Sequence, residues 1–140
     1  MMRLSRERDE LRVVNDQFGA PTWSRTIAEA TAALLRDPLR SEHGMASIHD
    51  ARGIYHLTSA GETTWFEFAS AILGASRKAG ADRVARLVPI MTADFPTPAR
   101  RPARSVLDNS LIASQFGITI PHWREQLALV LDDLRNASQL

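Results

Sequence analysis

Residues 15–23, NDQFGAPTW, combine polar side chains with residues that restrict the backbone, directly after a short apolar run. Asp16 and Gln17 could contact a polar ligand, while Gly19 and Pro21 would fix the path of the chain. Open α/β sheets bind ligands beyond the carboxyl ends of their strands, which is where this segment is expected. The same residues are typical of an ordinary turn closed by an Asx-type hydrogen bond, and both interpretations stay open.

A second candidate for binding is the proline-rich segment at residues 96–105, PTPARRPARS. It carries Arg100, Arg101 and Arg104 in a loop stiffened by prolines, and the planar fork of arginine suits a pyrophosphate. A solvated basic loop is the alternative. The formal net charge of +1 and the absence of interleaved aromatic residues argue against a nucleic-acid surface.

Several other kinds of chemistry are excluded by residue counts and spacing. The chain has no cysteine, which removes disulfides, thiolate metal sites and a cysteine nucleophile. Neither a G-x-S-x-G elbow nor a G-x-G-x-x-G loop occurs. Tyr55 has Ser59 four residues on, so it forms no Tyr-x-x-x-Lys pair with Lys78. The histidines lack the H-x-x-x-H and H-E-x-x-H spacings of metal ligands; they are His43, His49, His56 and His122.

The elements that must position these segments alternate along the chain. Strands are predicted at residues 11–14, 53–58 and 86–90. Helices are predicted to end within the first ten residues and then to open near residues 24–26, 64, 108 and 121. Such alternation predicts an α/β fold with parallel strand pairing. Three short strands are few for a sheet covered on both faces, so the chain is expected to be part of a larger fold.

Particular residues define the ends of the predicted helices. Ser24 or Thr26 is expected to cap the second helix, and two pairs have the capping-box spacing: Thr26 with Glu29, and Thr64 with Glu67. The second helix is expected to stop before Pro38.

The tryptophans divide into two groups. Trp65 and Trp123 open amphipathic helices on their apolar faces and are expected in the core. Trp23 follows the candidate turn, where a place beside a ligand and a place in the core are both open.

Composition sets the broad class of the protein. A chain of 140 residues with 44% hydrophobic and 24% charged residues is typical of one folded domain. No apolar run is long enough to span a membrane, and the charged first ten residues lack the apolar stretch of a signal peptide. We therefore expect a cytoplasmic protein, and we expect residues 1–140 to form a single domain that is part of the larger fold.

Four segments in the same order and spacing resemble the carboxyl-terminal half of the dTDP-4-dehydrorhamnose reductase family, among the extended short-chain dehydrogenase/reductases. They are residues 6–23 (RERDELRVVNDQFGAPTW), 53–69 (GIYHLTSAGETTWFEFA), 95–112 (FPTPARRPARSVLDNSLI) and 120–123 (IPHW). The resemblance implies a partial Rossmann-like fold, specifically its substrate-binding part. It also implies that NADPH, held mainly by the other half, reduces dTDP-4-dehydro-L-rhamnose to dTDP-L-rhamnose for cell-surface polysaccharide.

The resemblance carries over substrate-side residues and no catalytic ones. The family's glycine-rich loop and Tyr-x-x-x-Lys pair belong to its amino-terminal half, so the chain alone is expected to be inactive. Some family members are magnesium-dependent homodimers, which implies Mg2+ and a homo-oligomer as candidates here. A non-catalytic binding or regulatory module on the same fold is the alternative. The substrate-side residues are Asp16, Gln17, Gly19, Pro21, Thr22, Arg101 and Pro102.

Overall fold

Short strands alternate with helices through the computed structural model, which describes residues 1–40, 51–81, 83–95 and 97–137, with the backbone alone for residues 37–40. The strands include a parallel pair, so the predicted α/β class is confirmed. In chain order the elements are α1 (Met2–Glu7), β1 (Glu10–Val14), β2 (Phe18–Gly19), α2 (Ser24–Arg40), β3 (Thr63–Thr64), α3 (Trp65–Lys78), β4 (Arg86–Ile90), a 3-10 turn (Thr92–Asp94), α4 (Ser110–Phe116) and α5 (Trp123–Ala137).

The described chain divides into two compact units. The first comprises Met1–Gly19 and Glu62–Val106, and the second comprises Ala20–Gly61 and Leu107–Leu140. No helix within the described ranges is long and apolar enough to cross a membrane.

The first unit is built on the parallel pair of β1 and β4, in register from Glu10 opposite Arg86 to Val14 opposite Ile90. The helix α3 packs against both strands. Its Leu73 is fully buried and forms a core with Leu11 of β1 and Ala85. The strands β2 and β3 form a separate antiparallel pair.

The start of α3 follows the sequence prediction closely. The Thr64 hydroxyl accepts the backbone N–H of Glu67, and the Glu67 carboxylate accepts the N–H of Thr64, so the predicted capping box is confirmed. The prediction that Trp65 is a core residue is wrong, because its side chain is 56% exposed. The buried face of the helix begins one turn later, at Ala69.

The second unit contains α2, α4 and α5. Trp123 is 2% exposed, which confirms its predicted place in the core. The predicted stop of α2 before Pro38 is wrong, since the helix continues to Arg40. A proline this close to a helix end removes one backbone hydrogen bond, and the remaining turn continues around it. The helix α4 ends at Phe116, and Gly117 follows it in the left-handed conformation that commonly ends a helix.

The start of α2 also differs from the prediction. Thr26 lies inside the helix, which begins at Ser24. Glu29 accepts a hydrogen bond from Arg25 one turn earlier, at 3.0 Å. The carboxylate that the predicted capping box needs is therefore engaged along the helix surface.

The strand predicted at residues 53–58 is wrong, because this stretch has no regular secondary structure and joins no sheet. Its backbone is held by a side chain instead, because Asn109 accepts the N–H of Thr58 at 3.1 Å and donates to the carbonyl of Thr58 at 2.7 Å. Ile54 is 87% exposed, so burial does not hold this segment in a strand. His43 and His49, whose spacing lacks the pattern of metal ligands, lie outside the described residues.

Candidate functional site

The turn that follows β1 is fastened to the turn that follows β4. The carboxylate of Asp16 accepts the backbone N–H of Thr92, at 2.9 and 3.1 Å to its two oxygens, and the Thr92 hydroxyl at 2.7 Å. The Gln17 side-chain amide donates to the same hydroxyl at 3.0 Å. Because parallel strands end at the same edge, these contacts lie where α/β sheets bind ligands.

These hydrogen bonds determine the charge state of Asp16. They favour the ionised carboxylate, so the Thr92 hydroxyl first and the Thr92 N–H second lower the pKa of Asp16 below its ordinary value of 3.8. The Asp16 oxygens are thus engaged by Thr92, 76 residues further along the chain, rather than by a local turn. The contact of Asp16 with a ligand stays a prediction.

The part of the NDQFGAPTW segment that belongs to the first unit, residues 15–19, lies beside residues 103–105 of the arginine-rich segment. The backbone N–H of Phe18 donates to the carbonyl of Ala103 at 2.8 Å, and the N–H of Ser105 donates to the carbonyl of Phe18 at 2.9 Å. A Cβ atom added to Gly19 would lie 3.4 Å from the Ser105 hydroxyl oxygen, which is ordinary contact. The arginine-rich loop is thus fixed next to the end of the NDQFG segment.

The arginines of this loop are in different situations. Arg104 donates through Nε and Nη2 to one carboxylate oxygen of Glu62, at 3.0 and 2.8 Å. Arg101 and Pro102 are exposed, and Arg101 makes no hydrogen bond or ion pair with the part of the chain that the structure describes. Arg101 consequently presents a guanidinium that an anion can reach, whereas the charge of Arg104 is balanced within the protein.

Pro21 and Thr22 belong to the second unit, where their polar atoms bind Ser59. The Ser59 hydroxyl donates to the carbonyl of Pro21 at 2.5 Å, and the Ser59 N–H donates to the Thr22 hydroxyl at 2.9 Å. The Thr22 hydroxyl donates in turn to the carbonyl of Ala20 at 2.9 Å. In the described structure the Pro21 carbonyl and the Thr22 hydroxyl are therefore engaged in hydrogen bonds that hold the backbone.

Gln126 is the residue of this region that the sequence analysis missed. It is 2% exposed, and its side-chain oxygen accepts the backbone N–H of Trp23 at 2.9 Å. Its side-chain nitrogen donates to the Ser59 hydroxyl at 2.8 Å and to the carbonyl of Pro121 at 3.0 Å. A glutamine in the first turns of an amphipathic helix carries no signal in the sequence that would mark it as buried.

The family resemblance implies two bound groups, magnesium and NADPH. Within the described residues no cluster of three or more His, Asp or Glu side chains lies together that could hold a metal ion. Positive φ angles occur at Gly61, Gly80 and Gly117, and none of these glycines lies in a strand-to-helix loop of the kind that binds a dinucleotide.

Comparison with known proteins gives one consistent result. The family model described as the RmlD substrate binding domain matches residues 1–136. A dTDP-4-dehydrorhamnose reductase of Burkholderia thailandensis is 47% identical over 137 residues, which cover 96% of this chain and 45% of the relative. The chain therefore spans less than half the length of this curated relative.

Solved structures of similar proteins agree with the fold. A dTDP-4-dehydrorhamnose reductase of Clostridium acetobutylicum has a TM-score of 0.76 at 30% identity, over 96% of this chain and 42% of its own. A reductase of the same name from Bacillus anthracis, solved in complex with NADP, has a TM-score of 0.77 at 26% identity, over 94% of this chain and 41% of its own.

Proposed function

The chain belongs to the RmlD substrate binding domain family, and we propose that it is the substrate-binding part of an enzyme that reduces dTDP-4-dehydro-L-rhamnose to dTDP-L-rhamnose. The observation that supports the proposal is that Phe18 of β2 forms backbone hydrogen bonds with Ala103 and Ser105, in the loop that also carries Arg101. A dTDP-sugar carries a pyrophosphate, and an exposed guanidinium is the group that binds it with two parallel hydrogen bonds.

The proposed binding residues divide into those that face a ligand and those that shape the site. Arg101 binds the pyrophosphate, and Pro102 restricts the backbone beside it. The Gln17 side-chain oxygen accepts a hydrogen bond from the ligand, while its nitrogen stays on Thr92. Asp16, Gly19, Pro21 and Thr22 complete the predicted set by fixing the backbone of the segment.

The reaction itself requires more than these residues. NADPH supplies the hydride when it is bound, and the described residues contain no loop that fits it. We therefore limit the role of this chain to binding and orienting the nucleotide sugar, as one half-domain of an extended short-chain dehydrogenase/reductase. A cytoplasmic location and a homo-oligomer belong to the same proposal. Magnesium is left out of it, because no group of three or more ligand side chains within the described residues supports it.

Titration of the chain with thymidine diphosphate by calorimetry tests the proposal. We expect saturable binding, and we expect Arg101→Ala to weaken it by about 10-fold or more, because a hydrogen bond to a charged group contributes roughly 1.5–3 kcal/mol. The matched control is Arg6→Ala, which removes an exposed arginine from α1. No binding by the unaltered chain, or equal affinities for all three proteins, would contradict the assignment.

A kinetic assay tests the limitation to binding. The purified chain, mixed with NADPH and the dTDP-keto sugar, is expected to leave the absorbance of NADPH unchanged at 340 nm. Measurable turnover would show that the chain carries the catalytic groups as well.

A further inference from the structure

We infer that the buried amide of Gln126 is the positioning residue that holds the Pro21–Trp23 segment in its binding conformation. The inference rests on the proposed function, because it is the proposed role of Pro21 and Thr22 in substrate binding that gives the segment its importance. Gln126 lies on α5, about a hundred residues further along the chain, and belongs to none of the four segments that carry the family resemblance.

Gln126 joins three separate stretches of the second unit. Its oxygen accepts the N–H of Trp23, and its nitrogen uses both hydrogens, one on Ser59 and one on Pro121. The same Pro121 carbonyl accepts the N–H of Ala60 at 3.1 Å. A single side chain therefore fixes the spacing between residues 21–23, residues 59–60 and the start of α5.

Ser59 transmits this constraint to the proposed binding residues. It is 3% exposed, receives its hydrogen bond from Gln126, and donates both of its own hydrogens to the segment, one to Pro21 and one to Thr22. If Gln126 stopped donating, the Ser59 hydroxyl would lose the donor that orients it toward Pro21, while the acceptor for the Trp23 N–H would remain. No buried side-chain nitrogen or oxygen in the described ranges lacks a partner, so the network has no spare donor to replace the amide.

The chemistry of the amide explains why the role requires glutamine. Gln126 must accept one hydrogen bond and donate two at the same time, which a carboxylate cannot do because it only accepts. In Gln126→Glu an oxygen would face the Pro121 carbonyl in a buried place, and burial favours the protonated acid. The protonated form regains one donor, so the defect of this variant depends on pH and is smaller at low pH.

The test compares Gln126→Glu with the unaltered chain at pH 6 and pH 8. The matched control is Gln115→Glu, the same change at an exposed position of α4. Two readouts are measured: hydrogen exchange of the Trp23 and Ser59 backbone amides by NMR, and the affinity for thymidine diphosphate. At pH 8 we expect Gln126→Glu to exchange the Ser59 amide faster and to bind about 10-fold more weakly, and at pH 6 to recover part of each. The Trp23 amide keeps its acceptor in this variant and is expected to stay protected. The control is expected to match the unaltered chain at both pH values.

The outcomes separate this inference from the proposed function. If the unaltered chain binds thymidine diphosphate and Gln126→Glu binds it equally well at pH 8, the positioning role is wrong and the proposed function stands. If the unaltered chain does not bind it, the proposed function fails and the positioning role fails with it. A loss of affinity that pH does not reverse, accompanied by unfolding in circular dichroism, would overturn the specific role of the amide. Ser59→Ala then serves as the second variant, since it removes the hydroxyl that links Gln126 to Pro21 and keeps the N–H that binds Thr22. Unchanged affinity in this variant would also contradict the inference.

Discussion

Asp16 and Thr92 show how a polar residue predicted beside a ligand also holds the frame of the site. The carboxylate accepts the N–H of Thr92, shared between its two oxygens, and the Thr92 hydroxyl, so it secures one turn against another at the edge of the sheet. The same contacts leave Gln17 as the side chain of this turn with an acceptor available to a ligand. A charged residue next to a proposed binding site can thus affect ligand binding by holding the backbone that forms the site.

The lowered pKa of Asp16 predicts how the stability of the chain depends on pH. The unfolded chain has the ordinary pKa of 3.8 and the folded chain has a lower one. The contribution of Asp16 is therefore complete above about pH 5 and is lost as the pH falls through the folded pKa. Asp16→Asn is expected to lower the melting temperature at pH 7 and to reduce its fall between pH 5 and pH 3.

Thermal melts by circular dichroism across this pH range measure both effects. Asp132→Asn, which removes an exposed carboxylate from α5, is the control and is expected to change the melting temperature little, because its ion pair with Arg135 is exposed. An unchanged pH dependence in Asp16→Asn would show that the contacts with Thr92 contribute nothing to stability.

Gly61 offers a second prediction for a single residue. Its φ angle is +77°, and a Cβ atom there would lie 2.2 Å from Nε2 of His122. Gly61→Ala adds a left-handed backbone cost of roughly 1–2 kcal/mol to an overpacking cost of roughly 1–3 kcal/mol. Chemical denaturation is expected to show a free energy of unfolding lower by the sum of both.

Gly117 provides the matched comparison in the same unit. Its φ angle is +67°, but no atom lies within 4 Å of an added Cβ. Gly117→Ala should therefore cost only the backbone contribution, about 1–2 kcal/mol. Equal losses in the two variants would mean that His122 moves aside without cost.

At the scale of elements, the capping box of α3 connects helix formation with the turn after β1. The Thr64 hydroxyl accepts the N–H of Glu67 and donates to the Asn15 side-chain oxygen at 2.7 Å. The residue that begins the helix therefore also holds the first residue of the candidate binding segment.

Removal of the Thr64 hydroxyl is expected to weaken both connections. Thr64→Val keeps the shape of the side chain and loses the cap, at a cost of about 1 kcal/mol in unfolding free energy. Thr64→Ser keeps the hydroxyl and is expected to stay within about 0.5 kcal/mol of the unaltered chain. Urea denaturation distinguishes the two, and a Thr64→Val variant as stable as Thr64→Ser would contradict a role for the cap.

At the scale of the whole molecule, exposed apolar side chains predict association. The side chains of Ile54, Trp65, Met91 and Phe95 are each more than half exposed. Apolar surface of this kind favours contacts with other molecules. We expect light scattering of the purified chain to give a mass above that of the monomer, rising with concentration. A sharp monomeric peak at all concentrations, together with a cooperative melt, would contradict the prediction.

The sequence by itself determined the class of fold and the local ends of several elements. Its periodicity placed β1, β4 and α3, and the Thr64 and Glu67 spacing predicted a cap that depends only on neighbours along the chain. These features are local, so short-range chemistry is sufficient to predict them. The same holds for the family resemblance, which depends on the order of four short segments.

The tertiary structure decided which residues that are distant along the chain form hydrogen bonds with each other. Thr58 leaves the predicted strand because Asn109, distant along the chain, takes both of its backbone groups. Asp16 and Gln126 escaped local prediction for the same reason: Asp16 bonds Thr92, 76 residues away, and Gln126 bonds Trp23, 103 residues away. Hydrogen-bonding capacity is a property of each residue, but the identity of the partner is settled only when the folded chain brings distant segments together.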